Sequence, residues 1–302
     1  MPLHFRVVAL SLFLLAAAWT QQPSIPVFHA EVGEVLVQVS VLDRHGRAVT
    51  DLPASGFTVY ENGVVQKIDS FSSGDAPISQ GILVDNSGSM ASKRVQVDEA
   101  ALNFVRAGNP QDETFIVKFN DLYHLVAPFT NNIAVLERGL GAIHPAYSTA
   151  MYDAVIRGVE YMNRFARRPK KVILLISDGE DDSSAHSLEQ TETILQAQDA
   201  PMVYCIGLFD RGDDSFVRNE NARALHAIAD WTGGAAYFPK NLSQVNVITR
   251  KVAQDIRLQY SLIYQSNQPA PGYHAIRVEV KDPHHKHLRA LTRRGYYRRG
   301  GS

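Results

Sequence analysis

The sequence predicts an α/β protein: a doubly wound, mostly parallel sheet inserted in a small β-sandwich built from both chain ends. Three observations predict it. Continuous apolar runs, "GILV", "VILLIS" and "YCIGL", alternate with amphipathic helical segments through the middle of the chain, the pattern of a sheet covered on both faces. Val35, Val37, Val39 and Val41 alternate near the start, which is the period of a half-buried strand. Ile276, Val278 and Val280 do the same near the end. Fragments of two or three strands are marginal alone and leave costly edges, so the two ends are expected to complete one unit.

The elements follow in order. Residues 1–18 read as a signal segment and 19–30 as a polar linker. Arg6 precedes an apolar run from Val7 to Trp19, and Ala16, Ala17 and Ala18 offer small residues for cleavage. The run is shorter than the roughly 20 apolar residues that span a bilayer comfortably, and it suits the apolar region of a secretory signal. The expectation is an exported chain, periplasmic or extracellular, with no stable membrane span after cleavage. An uncleaved anchor is the alternative.

Residues 31–77 read as β. "VLVQVSVL" is a strand, Asp43 to Gly46 a turn, and "FTVYENGVVQKIDSF" two strands around Asn62-Gly63, a strong hairpin signal. Residues 78–257 carry the α/β alternation. Its strands are "GILV", "TFIVKFN", "KKVILLISDG", "PMVYCIGLF" and "AAYFPKN". Its helices lie in "RVQVDEAALNFVRAG", "NIAVLERGLGAI", "AMYDAVIRGVEYMNRF", "SLEQTETILQAQ", "NARALHAIADWTGG" and "VNVITRKVAQDI". Residues 258–302 return to β through "YSLIYQS", "HAIRVEVKD" and "LRALTRRGYY", and the terminal "RRGYYRRGGS" reads as a solvated tail.

Composition narrows the function. Of 302 residues, 45% are hydrophobic and 20% charged, with a formal net charge of −1, so no global field favours nucleic acid or an anionic membrane. The single cysteine, Cys205, excludes an intramolecular disulfide. Its apolar setting marks it as a small buried hydrophobe.

The chemistry gathers where strands end. In an open α/β sheet, ligands bind beyond the carboxyl ends of the strands. Asp85, Ser87 and Ser89 follow the first α/β strand in "GILVDNSGSM". Asp178 follows "VILLIS", and Thr149 stands before a helix in "YSTAMYDAV". All are hard oxygen donors, which suit Mg²⁺, Ca²⁺ or Mn²⁺ and not zinc. The competing reading of "DNSGSM" alone is a capped turn, with Ser87 or Ser89 as N-cap.

These residues carry a resemblance. "DNSGSM" resembles the Asp-x-Ser-x-Ser motif of the von Willebrand factor type A (VWA) family, "STAMYDAV" its threonine segment and "LLISDGEDD" its Asp-Gly segment. The resemblance covers about 78 to 257. The flanking β segments look, more loosely, like those of bacterial exported proteins of the acidobacterial VWFA-related group. It implies a Rossmann-like domain with a metal-ion-dependent adhesion site (MIDAS). Ser87 and Ser89 would bind the metal directly. Thr149 would bind it directly or through water, and Asp85 and Asp178 mainly through water and outer hydrogen bonds. Tyr147-Ser148 stands where many relatives have glycines. The implied partner is a protein offering an Asp or Glu to the metal.

Weaker signals are "GEDDSS", read as a solvated acidic loop or a second cation site, "RGD" at 211–213, read as a chance string, and "HHKH" at 284–287, read as an exposed turn. The leading expectation is a binding module and not an enzyme. No G-x-S-x-G elbow or G-x-x-x-x-G-K-[ST] phosphate loop occurs. The alternatives are a metal-dependent hydrolase, for which His144 and His186 lie near the relevant loops without an assignable partner, and a structural subunit of an envelope assembly.

Overall fold

The computed structural model describes residues 33–141, 148–210, 212 and 214–299. The expected signal segment and linker, His144, Tyr147, Arg211 and Asp213 lie outside the described residues.

The first strand, β1 (Glu34–Leu42), buries Val35, Val37, Val39 and Val41 and turns its other face outward. Strands β2 (Phe57–Glu61) and β3 (Val64–Gln66) pair as a hairpin with Glu61 opposite Val64. Asn62 and Gly63 between them have φ of 49° and 81°, the left-handed pair that matches the strand twist. The chain then passes Lys67 into β4 (Ile68–Ser72), which lies in a different sheet. The segment read as two strands is therefore three.

The α/β part begins at β5 (Ser79–Asp85), buried along its whole length. It continues through α1 (Arg94–Ala107), β6 (Glu113–Phe119), β7 (Tyr123–Thr130), α2 (Ile133–Leu140), α3 (Met151–Phe165), β8 (Lys171–Ser177), α4 (Leu188–Leu195), β9 (Met202–Gly207), α5 (Ser215–Thr232), β10 (Ala236–Tyr237) and α6 (Val245–Arg257). The six-stranded sheet has the order β10-β9-β8-β5-β6-β7. Its pairings are parallel except for β6 with β7. Strand period 2 sends successive side chains to opposite faces. Ile82 and Val84 join Val97, Phe104, Val252 and Ile256 from α1 and α6. Leu83 joins Met151, Val155, Val159, Leu225 and Ile228 from α3 and α5. Helices thus cover both faces, as the apolar runs require.

Strand β7 has no counterpart in the sequence reading. It is an antiparallel edge strand of mixed burial that contains Pro128, and an edge position tolerates the missing donor. Without a continuous apolar run or clean alternation, "YHLVAPFT" gives no strand signal.

The chain ends in β11 (Tyr260–Gln265), β12 (Gly272–Val280), β13 (Arg289–Leu291) and β14 (Gly295–Arg298). Two four-stranded sheets, β13-β1-β11-β4 and β14-β12-β2-β3, each combine strands from both ends of the chain. One apolar cluster lies between them, with Val37, Val39, Phe57 and Val59 from the first end and Tyr260, Leu262, Tyr264 and Tyr296 from the last. The Tyr260 hydroxyl donates to Val49 O (2.9 Å) and accepts from Leu52 N (3.0 Å). A C-terminal side chain therefore supplies backbone partners to an N-terminal loop.

The expected solvated tail is corrected as far as Arg298. Tyr296 is fully buried in β14. Arg293, also buried, donates to the carbonyls of Gly295, Gln196, Ala197 and Gln198. A buried cation persists only where its donors are satisfied, and three of those acceptors, in Gln196, Ala197 and Gln198, lie nearly a hundred residues away in sequence.

Candidate metal centre

The sheet order fixes where a site can form. From β5 the chain crosses to β6 on one side, and β8 joins on the other. That reversal opens a crevice at the carboxyl ends of β5 and β8. Asp85 is the last residue of β5, and Asp178 follows the last residue of β8.

Asp85 turns the chain out of the sheet. Its Oδ1 accepts from Ser87 N at 2.9 Å, and its Oδ2 accepts from Ser177 Oγ at 2.6 Å. Asn86 N donates to Phe119 O at 2.7 Å, holding this turn against the end of β6. A 3₁₀ turn, Gly88–Lys93, begins at once. Ser87 occupies its N-cap position in extended conformation, yet its side chain makes no capping hydrogen bond. Its Oγ lies 3.1 Å from Ser89 Oγ instead. Lys93, at the N-cap of α1, has no side-chain cap either. The capped-turn reading of "DNSGSM" therefore fails: neither serine hydroxyl serves a helix end.

Asp178 is buried, and its Oδ1 accepts from Glu180 N at 3.3 Å. Gly179 between them has φ of +80°, and a Cβ there would lie 2.9 Å from Asn221 Cβ and O. Both the backbone conformation and the close approach of α5 demand glycine.

Thr149 is buried and tied into the same edge from two sides. Ala150 N donates to Asn120 O at 2.7 Å, which anchors the segment beyond β6. Thr149 N donates to Asp182 Oδ1 at 2.8 Å, and Thr149 O accepts from Asp182 N and Ser183 N, both at 3.0 Å. Asp181 Oδ2 accepts from Tyr152 N (2.8 Å) and Ser184 Oγ (2.6 Å). The N-cap of α3, Ala150, has no side-chain cap. Two orphan donors of that helix end are met from the β8 loop, Tyr152 N by the Asp181 carboxylate, which also suits the helix dipole, and Asp153 N by Ser184 Oγ. "GEDDSS" is thus a clasp that fixes Thr149 relative to Asp178, where the sequence suggested a solvated loop or a second cation site. The N–H of Thr149, the largest influence, holds the Asp182 carboxyl below its ordinary range.

The electrostatics favour a cation. Burial and then the Asp178 charge push the Asp85 carboxyl up to about 7, with partial relief from hydrogen bonds with Ser177 and Ser87. No cationic side chain is among these influences. Among the described residues no group of three His, Cys, Asp or Glu side chains is placed to hold a metal. Two carboxylates with neighbouring hydroxyls form a different donor set: all oxygen, and with little negative charge. That set fits a hard divalent cation.

The structure brings Asp85, Ser87, Ser89 and Asp178 to one edge and fastens the Thr149 backbone to the loop after Asp178. Two participants escaped the sequence reading. Ser177 is fully buried and bridges Asp85 to Gly179 N, to which its Oγ is 2.9 Å. Its only sequence signal is its place immediately before Asp178. His186, read as partnerless, has Nδ1 2.7 Å from Asp153 Oδ1, and Asp153 also accepts from Ala185 N and His186 N. That pairing spans 33 residues, beyond any local spacing rule. His285 in "HHKH" has Nδ1 3.0 Å from Asp282 Oδ1, within its own turn.

Comparison with known proteins agrees with the fold. A family model described as von Willebrand factor type A domain matches residues 81–180. A von Willebrand factor type A structure from Catenulispora acidiphila is 12% identical, with a TM-score of 0.52 over 90% of this chain and 75% of that one. Proximal thread matrix protein 1 from the mussel byssus, in a structure with a zinc-occupied MIDAS motif, is 14% identical. Its TM-score is 0.50 over 61% of this chain and 48% of that one. No curated protein sequence matches the chain.

Proposed function

We propose that this chain, which carries a von Willebrand factor type A domain, is an exported module that captures a protein ligand through a divalent cation. Asp85, Ser87, Ser89, Thr149 and Asp178 hold the cation, with Mg²⁺ the expected ion and Ca²⁺ or Mn²⁺ as substitutes. The observation that carries this reading is the grouping of side chains at the carboxyl ends of the adjacent strands β5 and β8. Two buried carboxylates meet there, no cationic side chain being among the main influences on Asp85, beside two serine hydroxyls 3.1 Å apart that cap nothing. When bound, the cation would supply a positive centre to which a ligand carboxylate can coordinate. Ser177 and Ser87 N keep the Asp85 carboxylate aimed, and the Asp181-Asp182 clasp keeps the Thr149 segment in place. The zinc in the mussel protein's MIDAS motif supports a metal function for this place in the fold.

On this reading the two β-sheets form one sandwich that frames the α/β domain, with domain limits near 78 and 257. Export rests on the apolar run from Val7 to Trp19. Among the described residues no helix is long and apolar enough to cross a membrane.

The test is a pull-down from envelope extract with the immobilised chain, in Mg²⁺ and in chelator, alongside Ser87→Ala. Binding that needs both the cation and Ser87 supports the proposal. Binding indifferent to both sinks it. A metal-dependent hydrolase is the second reading, favoured by the oriented His186-Asp153 pair. Mg²⁺-dependent turnover of p-nitrophenyl esters or phosphates that is lost in His186→Ala would select it.

A further inference from the structure

The outer face of the sheet β14-β12-β2-β3 has no part in the site above. Strand period 2 places Tyr273, Ala275, Arg277 and Glu279 of β12 outward, while His274 and Ile276 point into the core. Register adds neighbours on the same face. Tyr297 lies opposite Tyr273, Gly295 opposite Ala275, and Tyr60 opposite Arg277.

Two surfaces result, a Tyr273-Tyr297 pair whose rings are tilted 59° to each other and an Arg277-Tyr60 stack. Tyr273 and Tyr297 are 44% and 46% exposed, with ring centroids 5.2 Å apart. The phenol end of Tyr273 lies over Gly295, where a Cβ would come within 2.5 Å of its Cζ and hydroxyl oxygen. Glycine there lets the ring lean across the neighbouring strand. The second surface is the Arg277 guanidinium, 3.8 Å from the centroid of the Tyr60 ring. Glu279 fixes both members, accepting from the Arg277 guanidinium and, at 3.2 Å, from the Tyr60 hydroxyl. Along β12 the two surfaces are about 13 Å apart at the usual strand rise. Ala275, Gly295 and Asn62, whose Oδ1 accepts from Ala275 N at 2.8 Å, lie between them and leave a shallow floor.

We propose that this face binds an extended neutral glycan, with sugar rings stacked on Tyr273-Tyr297 and on Arg277. Charge selects the occupant. Arg277 is neutralised by Glu279, Arg293 is engaged by four carbonyls, and Arg298 donates to Gln268 O and the Tyr296 hydroxyl. The exposed Lys281 and Arg299 follow β12 and β14 at opposite ends of the face, so a phosphate polymer would find no free cation along the floor between the two surfaces. The face also has few aliphatic groups for a protein core contact: Val65, on the outermost strand, is the exposed large aliphatic residue opposite Tyr60. Aromatic rings with polar tips give apolar area and hydrogen bonding together, which suits the C–H faces and hydroxyls of sugars. The separation of the two surfaces calls for a chain of sugars. This inference is independent of the metal reading.

Affinity electrophoresis of the full chain in gels containing hydroxyethylcellulose, laminarin, glucomannan or arabinoxylan tests it. At least one polysaccharide should retard the protein equally with and without EDTA. Tyr273→Ala and Tyr297→Ala should each weaken the retardation about fivefold, and Arg277→Ala should do so by a separate route. Phe165→Ala, an exposed ring on α3, should not. Thermal melting checks that each variant is folded. No retardation by any of the four polysaccharides, retardation that survives the folded Tyr273→Ala/Tyr297→Ala double variant and Arg277→Ala, or retardation by heparin or polyphosphate alone would overturn the proposal.

Discussion

Asp85 concentrates the physics of the site in one side chain. With its folded-state carboxyl at about 7 and its ordinary value at 3.8, the folded protein keeps a proton that the unfolded chain has lost between those values. Stability then falls as pH rises, because the unfolded state binds fewer protons. In chelator, the melting temperature should drop between roughly pH 4 and 7 and level off above. Mg²⁺ should restore it most at the upper end, where the cation replaces the proton. Asp85→Asn should flatten that slope, and an equal slope in the variant would contradict the assignment. Asp85, Ser87, Ser89, Thr149 and Asp178 could be singled out as candidates because their residue types and chain order are local signals. Ser177 and the Asp153-His186 pair were not, since their roles arise from contacts across strands and loops.

Elements position these residues through a few close approaches. Gly179 passes α5 where a Cβ would lie 2.9 Å from Asn221, at a φ of +80°. Gly179→Ala should cost at least about 1 kcal/mol and weaken cation binding, because the strain falls on the turn that holds Asp178. Denaturant unfolding and metal titration of the variant measure the two effects. Strong alternation and apolar runs made β1, β5, β8 and β9 readable. The β2-β3 hairpin was readable because Asn-Gly is among the few dipeptides that readily take two positive φ angles. Strand β7 was invisible, since an edge strand with Pro128 needs no apolar run. The clasp from Asp181 and Asp182 was read as mere charge because its acceptor role depends on the uncapped end of α3.

At the scale of the molecule, the two chain ends depend on one another. Strand β1 lies between β13 and β11, and β2 pairs with β12. Removing residues 258–302 should leave 33–77 open to proteolysis while the α/β part stays protected. Equal protection of the N-terminal strands after the deletion would contradict this. A buried carboxylate ties the same ends. Glu61 of β2 accepts from Ser266 Oγ (2.9 Å) and the Tyr296 hydroxyl (3.0 Å), and its Oε1 faces His274 Nδ1. Glu61→Ala would take an acceptor from buried His274 and Tyr296 and from half-buried Ser266 and should cost about 3–5 kcal/mol by denaturant unfolding. The sequence disclosed that both ends are β. It did not disclose Glu61 or Arg293 as interior charges, because their partners lie some two hundred and one hundred residues away.

The central claim is that Asp85, Ser87, Ser89, Thr149 and Asp178 hold one divalent cation. Titration calorimetry with Mg²⁺ and Mn²⁺ on the wild type and Asp85→Ala tests it most directly. The account predicts saturable binding of a single cation by the wild type and none by a folded Asp85→Ala. Equal binding by the two proteins, or no binding by either, would contradict it.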